Sequence, residues 1–213
     1  MNDLTFDIML NMIRESIPFS YARFGDGEWN AILQKKPGGR NCDGHEYFPE
    51  LGQALRRVLE ERPDYYLGLQ NLAREQNTGN KEFDWLVALN HWTDNEILHR
   101  ASIKGRLKEF FAALTGCRVI MVGNPSLANV PFRYDWLIEI PVNDCWTKYE
   151  LTKASIGSFI KRGDVVLYSA SMMSEVLIHD FKDAGITQID CGSVFDPYVG
   201  KQTRTYHKNL HLN

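Results

Sequence analysis

The chain has 213 residues, of which 44% are apolar and 24% are charged, and these values are typical of one soluble globular domain. They exclude collagen-like, disordered and disulfide-scaffold proteins. Lys and Arg number 24 against 27 Asp and Glu, so the net charge of −3 argues against a dedicated sequence-independent nucleic-acid binder but allows a local basic groove.

Cysteine usage and hydropathy indicate the expected compartment. The four cysteines form no C-x-x-C pair, and their spacing is unlike that of a zinc site. The first residues lack a basic segment followed by an apolar stretch, and no apolar run reaches the roughly 18 residues that a membrane span needs. We therefore expect a cytoplasmic protein without a membrane span.

In chain order, the first half contains helices and strands that end near glycine or proline. Apolar residues recur at helical spacing over 4–13, and residues 19–24 alternate as in a short strand that runs directly into residues 25–28. The other elements predicted here are helices over 29–33, 49–62, 83–92 and 103–114, and a strand over 65–69.

The second half alternates short apolar strands with helices, which predicts a parallel sheet covered on both faces. The strands are predicted over 118–122, 136–140, 165–168 and 186–191, and the helices over 146–160 and 172–181. The expected fold class is α/β, with a Rossmann-like, mostly parallel sheet in a single domain over residues 1–213. No G-x-G-x-x-G segment follows a strand, so the usual dinucleotide-binding fingerprint is missing.

The residues that follow the first strand are the most informative candidates for chemistry. Asp26 and Glu28 are separated by one glycine, and in an extended turn residues i and i+2 point the same way, so both carboxylates can converge on one hard cation. Gly25 and Gly27 leave room for a ligand to approach closely. Arg23 either contacts a diphosphate or pairs with one of the two acids. The alternative is a structural turn, because Asp-Gly is a frequent turn dipeptide.

Three later segments also follow predicted strands, where the carboxyl ends of a parallel sheet form the usual ligand crevice. Small residues around Ser169 and Ser171 expose backbone N–H groups to an anion, or else they cap the next helix. Asn124 has the same two interpretations. Asp196 is a metal ligand, a base or a turn residue before proline.

Residues 21–28, with the sequence Y-A-R-F-G-D-G-E, resemble the N-terminal signature of the GT-D glycosyltransferase family, an R-[FY]-G-D-G-E segment that contains an Asp-x-Glu motif. Later landmarks agree in their order. A strand ends in glycine at 123, a strand, a small-residue loop and a helix cover 165–181, and a D-x-G segment with acidic and aromatic residues covers 190–198. The resemblance spans residues 18–200.

This resemblance implies a nucleotide-sugar donor such as a UDP-sugar, together with Mn²⁺ or Mg²⁺. It makes Asp26 and Glu28 the pair that serves the metal and the donor diphosphate, and it makes Arg23 a diphosphate contact. The chain departs from the family in two loops. The run S-A-S-M at 169–172 stands where a Gly-Pro-Thr-Ala-like phosphate loop is expected, and Ser193 stands where a histidine is expected.

The sequence therefore predicts a metal-dependent glycosyltransferase. The predicted catalytic residues are Asp26, Glu28 and Asp196, with Asp196 taking the proton of the acceptor hydroxyl if the reaction inverts. The predicted donor contacts are Arg23, Gly25, Gly27, Asn124, Ser169 and Ser171. Two alternatives remain: a metal-dependent phosphohydrolase, for which the chain lacks a DxDx(T/V) segment after a strand, and a nucleotide-binding module without catalysis.

The expected acceptor is a glycan or glycoconjugate, and the alternative is a hydroxymethylated base in DNA. Residues 201–213 contain Lys201, Arg204 and Lys208, with Tyr206 among them and no acid. This basic tail is either solvated or a contact for an anionic acceptor such as DNA. The negative net charge of the chain weighs mildly against DNA.

Overall fold

The computed structural model describes residues 3–36, 38–70 and 80–210. The strands in these ranges are β1 (Ser20–Phe24), β2 (Tyr66–Leu69), β3 (Trp92–Asp94), β4 (Val119–Gly123), β5 (Trp136–Glu139), β6 (Val165–Ser169) and β7 (Thr187–Asp190). These seven described strands form one sheet in the order β3-β2-β1-β7-β6-β4-β5, and every pairing is parallel. This confirms the predicted α/β fold with a Rossmann-like parallel sheet.

Helices cover both faces of the sheet, since two separate groups of buried side chains lie on its two sides. The helices are α1 (Phe6–Arg14), α2 (Asp26–Ile32), α3 (Pro49–Glu60), α4 (Lys81–Leu89), α5 (Ile97–Ile103), α6 (Leu107–Ala113), α7 (Tyr149–Phe159) and α8 (Ser174–Asp180). Short 3-10 helices cover Pro125–Asn129, Cys145–Lys148, Ser171–Met173, Asp196–Val199 and Thr205–Asn209.

Neighbouring residues within a strand face opposite sides of the sheet, as the pleat of a strand requires. In β4, Ile120 and Val122 belong to the core beneath α2, α3, α4, α7 and α8, while Val119 and Met121 belong to the core beneath α1, α5 and α6. Both faces of the strand are therefore apolar, which explains its continuous apolar sequence.

Strand β1 lies between β2 and β7, so the first and last strands of the chain are neighbours. The chain runs from β1 outward to β3, and it builds the other half of the sheet from β4 onward. In such sheets ligands bind outside the carboxyl ends of the strands, where the strand order reverses. The fold thus places the loops after β1, β4, β6 and β7 around one crevice.

Two predicted helices differ from the structure. The helix predicted over 83–92 ends at Leu89, and Trp92 opens β3, where its indole N–H donates to the Val87 carbonyl at 2.8 Å. The helix predicted over 103–114 is interrupted, because Gly105 adopts a left-handed φ of 68° and separates α5 from α6. The apolar residues keep helical spacing across both breaks. For this reason the sequence pattern did not reveal where the helices end.

Among the helices that the structure describes, none is long and apolar enough to cross a membrane.

Candidate active site

A cavity of about 710 Å³ opens at the carboxyl ends of β1, β4, β6 and β7. Every residue predicted to act in catalysis, donor binding or metal binding lines it: Arg23, Gly25, Asp26, Gly27, Glu28, Asn124, Ser169, Ser171 and Asp196. The structure therefore brings these residues together in one place, and their chemical roles remain predictions.

Asp26 and Glu28 lie in the first turn of α2, so the prediction of an extended turn is wrong. Gly25 is the residue before the helix, and its N–H donates to Glu28 Oε2 at 2.7 Å. Successive helical residues turn by about 100°. The two carboxylates therefore leave the helix in different directions, although both residues line the cavity: Asp26 is exposed and Glu28 is half-buried.

A buried group of acids forms the floor of the cavity. It consists of Glu28, Glu175 and Asp190, and the last two are only 1% and 5% exposed. Burial raises the pKa of Glu28 to about 7. Burial, together with the charges of Glu28 and Asp190, raises the pKa of Glu175 well above its ordinary value, which favours the protonated form of this carboxyl group beside Asp190.

Arg23, near the end of β1, lines the same cavity and is held in place by several contacts. Its Nε donates to the Asn95 carbonyl at 2.7 Å, its Nη2 lies 3.4 Å from His99 Nδ1, and its Nη1 lies 3.9 Å from Asp190 Oδ2. Its ion-pair partner is thus Asp190, rather than Asp26 or Glu28 as one prediction had it. Gly192, with a φ of 53°, allows the guanidinium to approach the backbone, because a Cβ there would overlap it.

The loop after β6 does not show the helix capping by Ser169 or Ser171 that one interpretation of the sequence offered. Ser171 has a left-handed φ of 49°, and its hydroxyl accepts a hydrogen bond from Asn41 Nδ2 at 3.0 Å. Within the described ranges, neither Ser169 nor Ser171 caps a helix through its side chain, whereas Ser174 Oγ accepts the Ala170 N–H at 3.2 Å. Both residues line the cavity.

Asn124 behaves as the capping interpretation predicts. Its side-chain oxygen accepts the Ser126 N–H at 3.1 Å and so caps the 3-10 helix after β4. The same oxygen accepts a hydrogen bond from Lys201 Nζ at 3.1 Å. One group thus joins the loop after β4 to the C-terminal segment.

Residues of the C-terminal segment, 201–210, line the cavity, which does not fit the first of the two interpretations of this segment, a solvated tail. Both terminal nitrogens of Arg204 donate to Asp43, at 2.6 and 2.8 Å, and the Thr203 hydroxyl donates to Asp196. Lys208 is exposed. Residues 211–213 of the predicted tail lie outside the described residues.

Several residues of the site were not predicted from the sequence, among them Asn95, His99 and Glu175. One signal was present for Glu175. It is the single acid in the run 172–178, whose other members are apolar or small, and it is buried there like its neighbours. A carboxylic acid on a buried helix face is costly unless it is neutral or paired, so it marks a functional candidate.

No protein-family model and no curated protein matches the sequence. Solved structures match its fold. One, described as the domain of unknown function 1792 with a distinct glycosyltransferase fold, aligns with a TM-score of 0.67 and 17% identity over 100% of this chain and 91% of that one. Another, described as a new glycosyltransferase (DUF1792) from Streptococcus sanguinis, has a TM-score of 0.66 and 16% identity over 93% of this chain and 83% of that one.

The chain has this glycosyltransferase fold. The resemblance to the GT-D family is thus confirmed for the architecture, with the crevice at the carboxyl ends of the strands where that fold was expected to place it. Because the identity is low, the likeness carries the fold, and the chemistry depends on the side chains of this chain.

The cavity of this glycosyltransferase fold is acidic. Seven Asp or Glu side chains and four Lys or Arg side chains from the described residues line it, so negative charge remains in excess even with Glu175 protonated. Three of the four cations, Arg23, Arg100 and Arg204, already pair with carboxylates of the chain. A diphosphate therefore meets net negative charge unless a cation accompanies it.

The donor atoms suit a hard divalent cation that shares its ligands with the substrate. Within residues 3–36, 38–70 and 80–210, no three His, Cys, Asp or Glu side chains are grouped to hold a metal by themselves. Mg²⁺ commonly binds through one or two carboxylates and completes its shell with water and phosphate oxygens. Asp26 and Glu28, both lining the cavity, fit that mode.

Proposed function

We propose that this chain is a divalent-cation-dependent glycosyltransferase that moves a sugar from a nucleotide sugar, such as a UDP-sugar, to a hydroxyl of a glycan or glycoconjugate. One observation carries the proposal. In a glycosyltransferase fold, the acidic crevice at the carboxyl ends of the strands contains Asp26 and Glu28 in the first turn of α2.

The charge balance of the cavity supports the dependence on a cation. Asp26 and Glu28 would hold Mn²⁺ or Mg²⁺. When bound, such an ion supplies Lewis-acid stabilisation of the charge that develops on a departing diphosphate. Glu175, buried and protonated, adds no charge to this floor, so the site carries less repulsion toward a diphosphate than its composition suggests.

The remaining predicted residues bind and orient the two substrates. Ser169 and Ser171, which line the cavity, donate hydrogen bonds to phosphate oxygens, while Arg23, which also lines it, contributes positive charge. Asp196 accepts the proton of the acceptor hydroxyl. Burial raises the pKa of Asp196, which favours proton transfer near neutral pH, and the Thr203 hydroxyl orients its carboxylate.

A glycan or glycoconjugate is the proposed acceptor, because the cations suggested for DNA are engaged within the chain. Lys201 donates to Asn124, and Arg204 pairs with Asp43. Of the three cations named for that purpose, Lys208 is the exposed one. One exposed lysine does not make the basic groove that binding to the phosphates of a duplex requires.

A donor screen tests the proposed function. Wild-type protein is incubated with a panel of nucleotide sugars and Mn²⁺, release of the nucleoside diphosphate is measured, and saccharide mixtures are then added with mass detection of products. We expect release from one class of nucleotide sugar and a mass increase of one sugar in an acceptor. Tight nucleotide binding without turnover under any metal would favour a binding module, and phosphate release from phosphomonoesters would favour a hydrolase.

A further inference from the structure

One corner of the cavity contains polar groups that the chain itself leaves unsatisfied. The corner is formed by the start of α5, the loop after β7 and the C-terminal segment. Among the described residues that line the cavity there, His99 Nε2, Ser193 Oγ and the Tyr206 hydroxyl are buried, and apart from a contact between Ser193 and the Tyr206 hydroxyl they have no hydrogen-bond partner. Ser193 is 8% exposed. We call these three residues the hydroxyl corner.

Buried polar atoms are nearly always hydrogen-bonded, so a cavity wall in which His99 Nε2 has no partner and two hydroxyls have only each other indicates a site that a ligand or ordered water completes. The three side chains lie close together. The Tyr206 ring lies 5.3 Å from the His99 ring, and the Tyr206 hydroxyl lies beside Ser193. They come from three separate segments of the chain. The fold therefore assembles the hydroxyl corner, and no single motif contains it.

The hydroxyl corner is uncharged although the cavity around it is acidic. Burial and the neighbouring Arg23 lower the pKa of His99 well below its ordinary value, so its imidazole is neutral. Arg23 Nη2 faces His99 Nδ1 at 3.4 Å, which makes Nδ1 the acceptor and leaves the proton on Nε2. The guanidinium groups of Arg23 and Arg204 near the corner each pair with a carboxylate, Asp190 and Asp43 respectively.

Such a corner suits a neutral polyhydroxylated ligand better than a phosphate. An imidazole N–H and two hydroxyls supply donors and acceptors without a net charge. Apolar surface lies next to them, because Ile103, one helical turn beyond His99, is 57% exposed and lines the same cavity. Sugar rings present both hydroxyl groups and apolar C–H faces, so they match both features.

We propose that His99, Ser193 and Tyr206 form a subsite that binds the hydroxyl groups of a pyranose sugar. The proposal rests on the proposed glycosyltransferase function. The bound sugar is either the one carried by the nucleotide donor or the terminal sugar of the acceptor, and both present the same chemistry to this corner.

The test removes two hydroxyls without altering the shape of the wall, in the double variant Ser193→Ala and Tyr206→Phe. Tyr134→Phe is the matched control, because Tyr134 also has a hydrogen-bonding hydroxyl, donated to Ala128 at 3.1 Å, and does not line the cavity. Saturation-transfer NMR with a panel of methyl glycosides measures sugar binding without any nucleotide. Calorimetry with UDP, UDP-glucose, UDP-galactose and UDP-N-acetylglucosamine in Mn²⁺ measures binding of the donor.

We expect methyl glycoside binding to weaken about fivefold or more in the double variant, the loss that one neutral hydrogen bond predicts, and to be unchanged in the control. UDP affinity should not change. If UDP-sugar affinity falls in parallel, the donor sugar occupies the corner; if it does not, the acceptor sugar does. Equal glycoside binding in wild type and double variant, or none in wild type, overturns the subsite. A wild type that binds glycosides but no nucleotide sugar overturns the proposed function alone.

Discussion

Glu28 contributes both to the structure of α2 and to the lining of the cavity. Its carboxylate accepts the Gly25 N–H at 2.7 Å, which secures the start of α2, and it also forms part of the cavity floor. Asp26, two residues earlier, is exposed and has no comparable structural bond among the described residues. Substitution of these two acids should therefore affect activity similarly and stability differently.

Asp26→Asn and Glu28→Gln should each lower the rate of sugar transfer by about 100-fold or more, since each removes a carboxylate that would bind the cation. Asp26→Asn should change the free energy of unfolding by less than about 1 kcal/mol. Glu50→Gln is the matched control, because Glu50 is an exposed acid in the first turn of α3 and does not line the cavity. Full activity of both site variants would contradict the metal assignment.

The raised pKa of Glu28 predicts how stability depends on pH. Its pKa is about 7 in the fold against an ordinary value of 4.5, so the folded protein holds a proton that the unfolded chain releases between these values. The free energy of unfolding therefore falls as pH rises through this window, by an amount on the order of 3 kcal/mol. Glu175 and Asp190, whose pKa values are also raised by burial, act in the same direction.

Glu28→Gln should flatten this dependence, because the amide has a similar shape and no charge to bury. The measurement is urea unfolding of wild type and variant at about pH 5 and about pH 8 without added metal. Wild type should lose more stability between the two pH values than the variant does. Equal losses would mean that Glu28 is ionised in the folded protein across the whole range.

At the scale of elements, the position of the helical turn that carries Asp26 and Glu28 depends on how closely two helices approach. Gly52 of α3 packs against α2, and a Cβ at this glycine would overlap the Ala31 carbonyl oxygen. The atoms that an added Cβ would meet belong to the backbone of α2. No flexible side chain is there to move aside and make room for it. The absence of a side chain at Gly52 thus sets the distance between the helix that carries the acids and the helix that supports it.

Gly52→Ala should destabilise the protein by about 2 kcal/mol, because α3 must move away from α2. The control is Gly157→Ala in α7, where the added Cβ would lie 3.7 Å from the Phe181 ring in ordinary contact. That substitution should be neutral or should stabilise by up to about 1 kcal/mol, since alanine favours helix. Thermal unfolding of both variants checks the pair, and equal effects would refute the packing explanation.

At the scale of the whole molecule, the fold places acidic side chains from distant parts of the chain in one crevice. The acids of the cavity floor come from α2, α8 and the end of β7. The C-terminal segment closes one side of the crevice through the ion pair of Arg204 with Asp43. The result is a cavity whose net charge opposes a diphosphate, so the proposed cation requirement would follow from the site as a whole.

Removal of divalent cations should therefore abolish nucleotide binding as well as turnover. In EDTA the affinity for UDP should fall by about 100-fold, and Mn²⁺ or Mg²⁺ should restore it better than Ca²⁺, because the smaller ions suit octahedral coordination shared with a diphosphate. Calorimetry at constant ionic strength checks this. UDP binding that persists in EDTA would indicate that Arg23 and backbone groups carry the diphosphate charge alone.

The order of amino acids along the chain is enough to predict the class of fold and the end of the sheet where chemistry belongs. Apolar strands such as the one at 119–123 are buried on both faces, so their composition predicts a parallel sheet. In a parallel sheet the residues that follow the strands must share one edge, which is why the positions of Asp26, Ser169 and Asp196 after strands suffice to group them. These inferences depend only on residues that are close together in the sequence.

Which side chains meet within that crevice depends on contacts between distant parts of the chain. Arg204 and Asp43 are 161 residues apart, and Glu175 reaches Asp190 from a different element. The periodicity of apolar residues records which face of an element is buried, but it does not record the partner of a buried polar group. Protonation of Glu175, closure of the cavity by the C-terminal segment and the hydroxyl corner all arise from such long-range contacts, so they follow from packing in three dimensions.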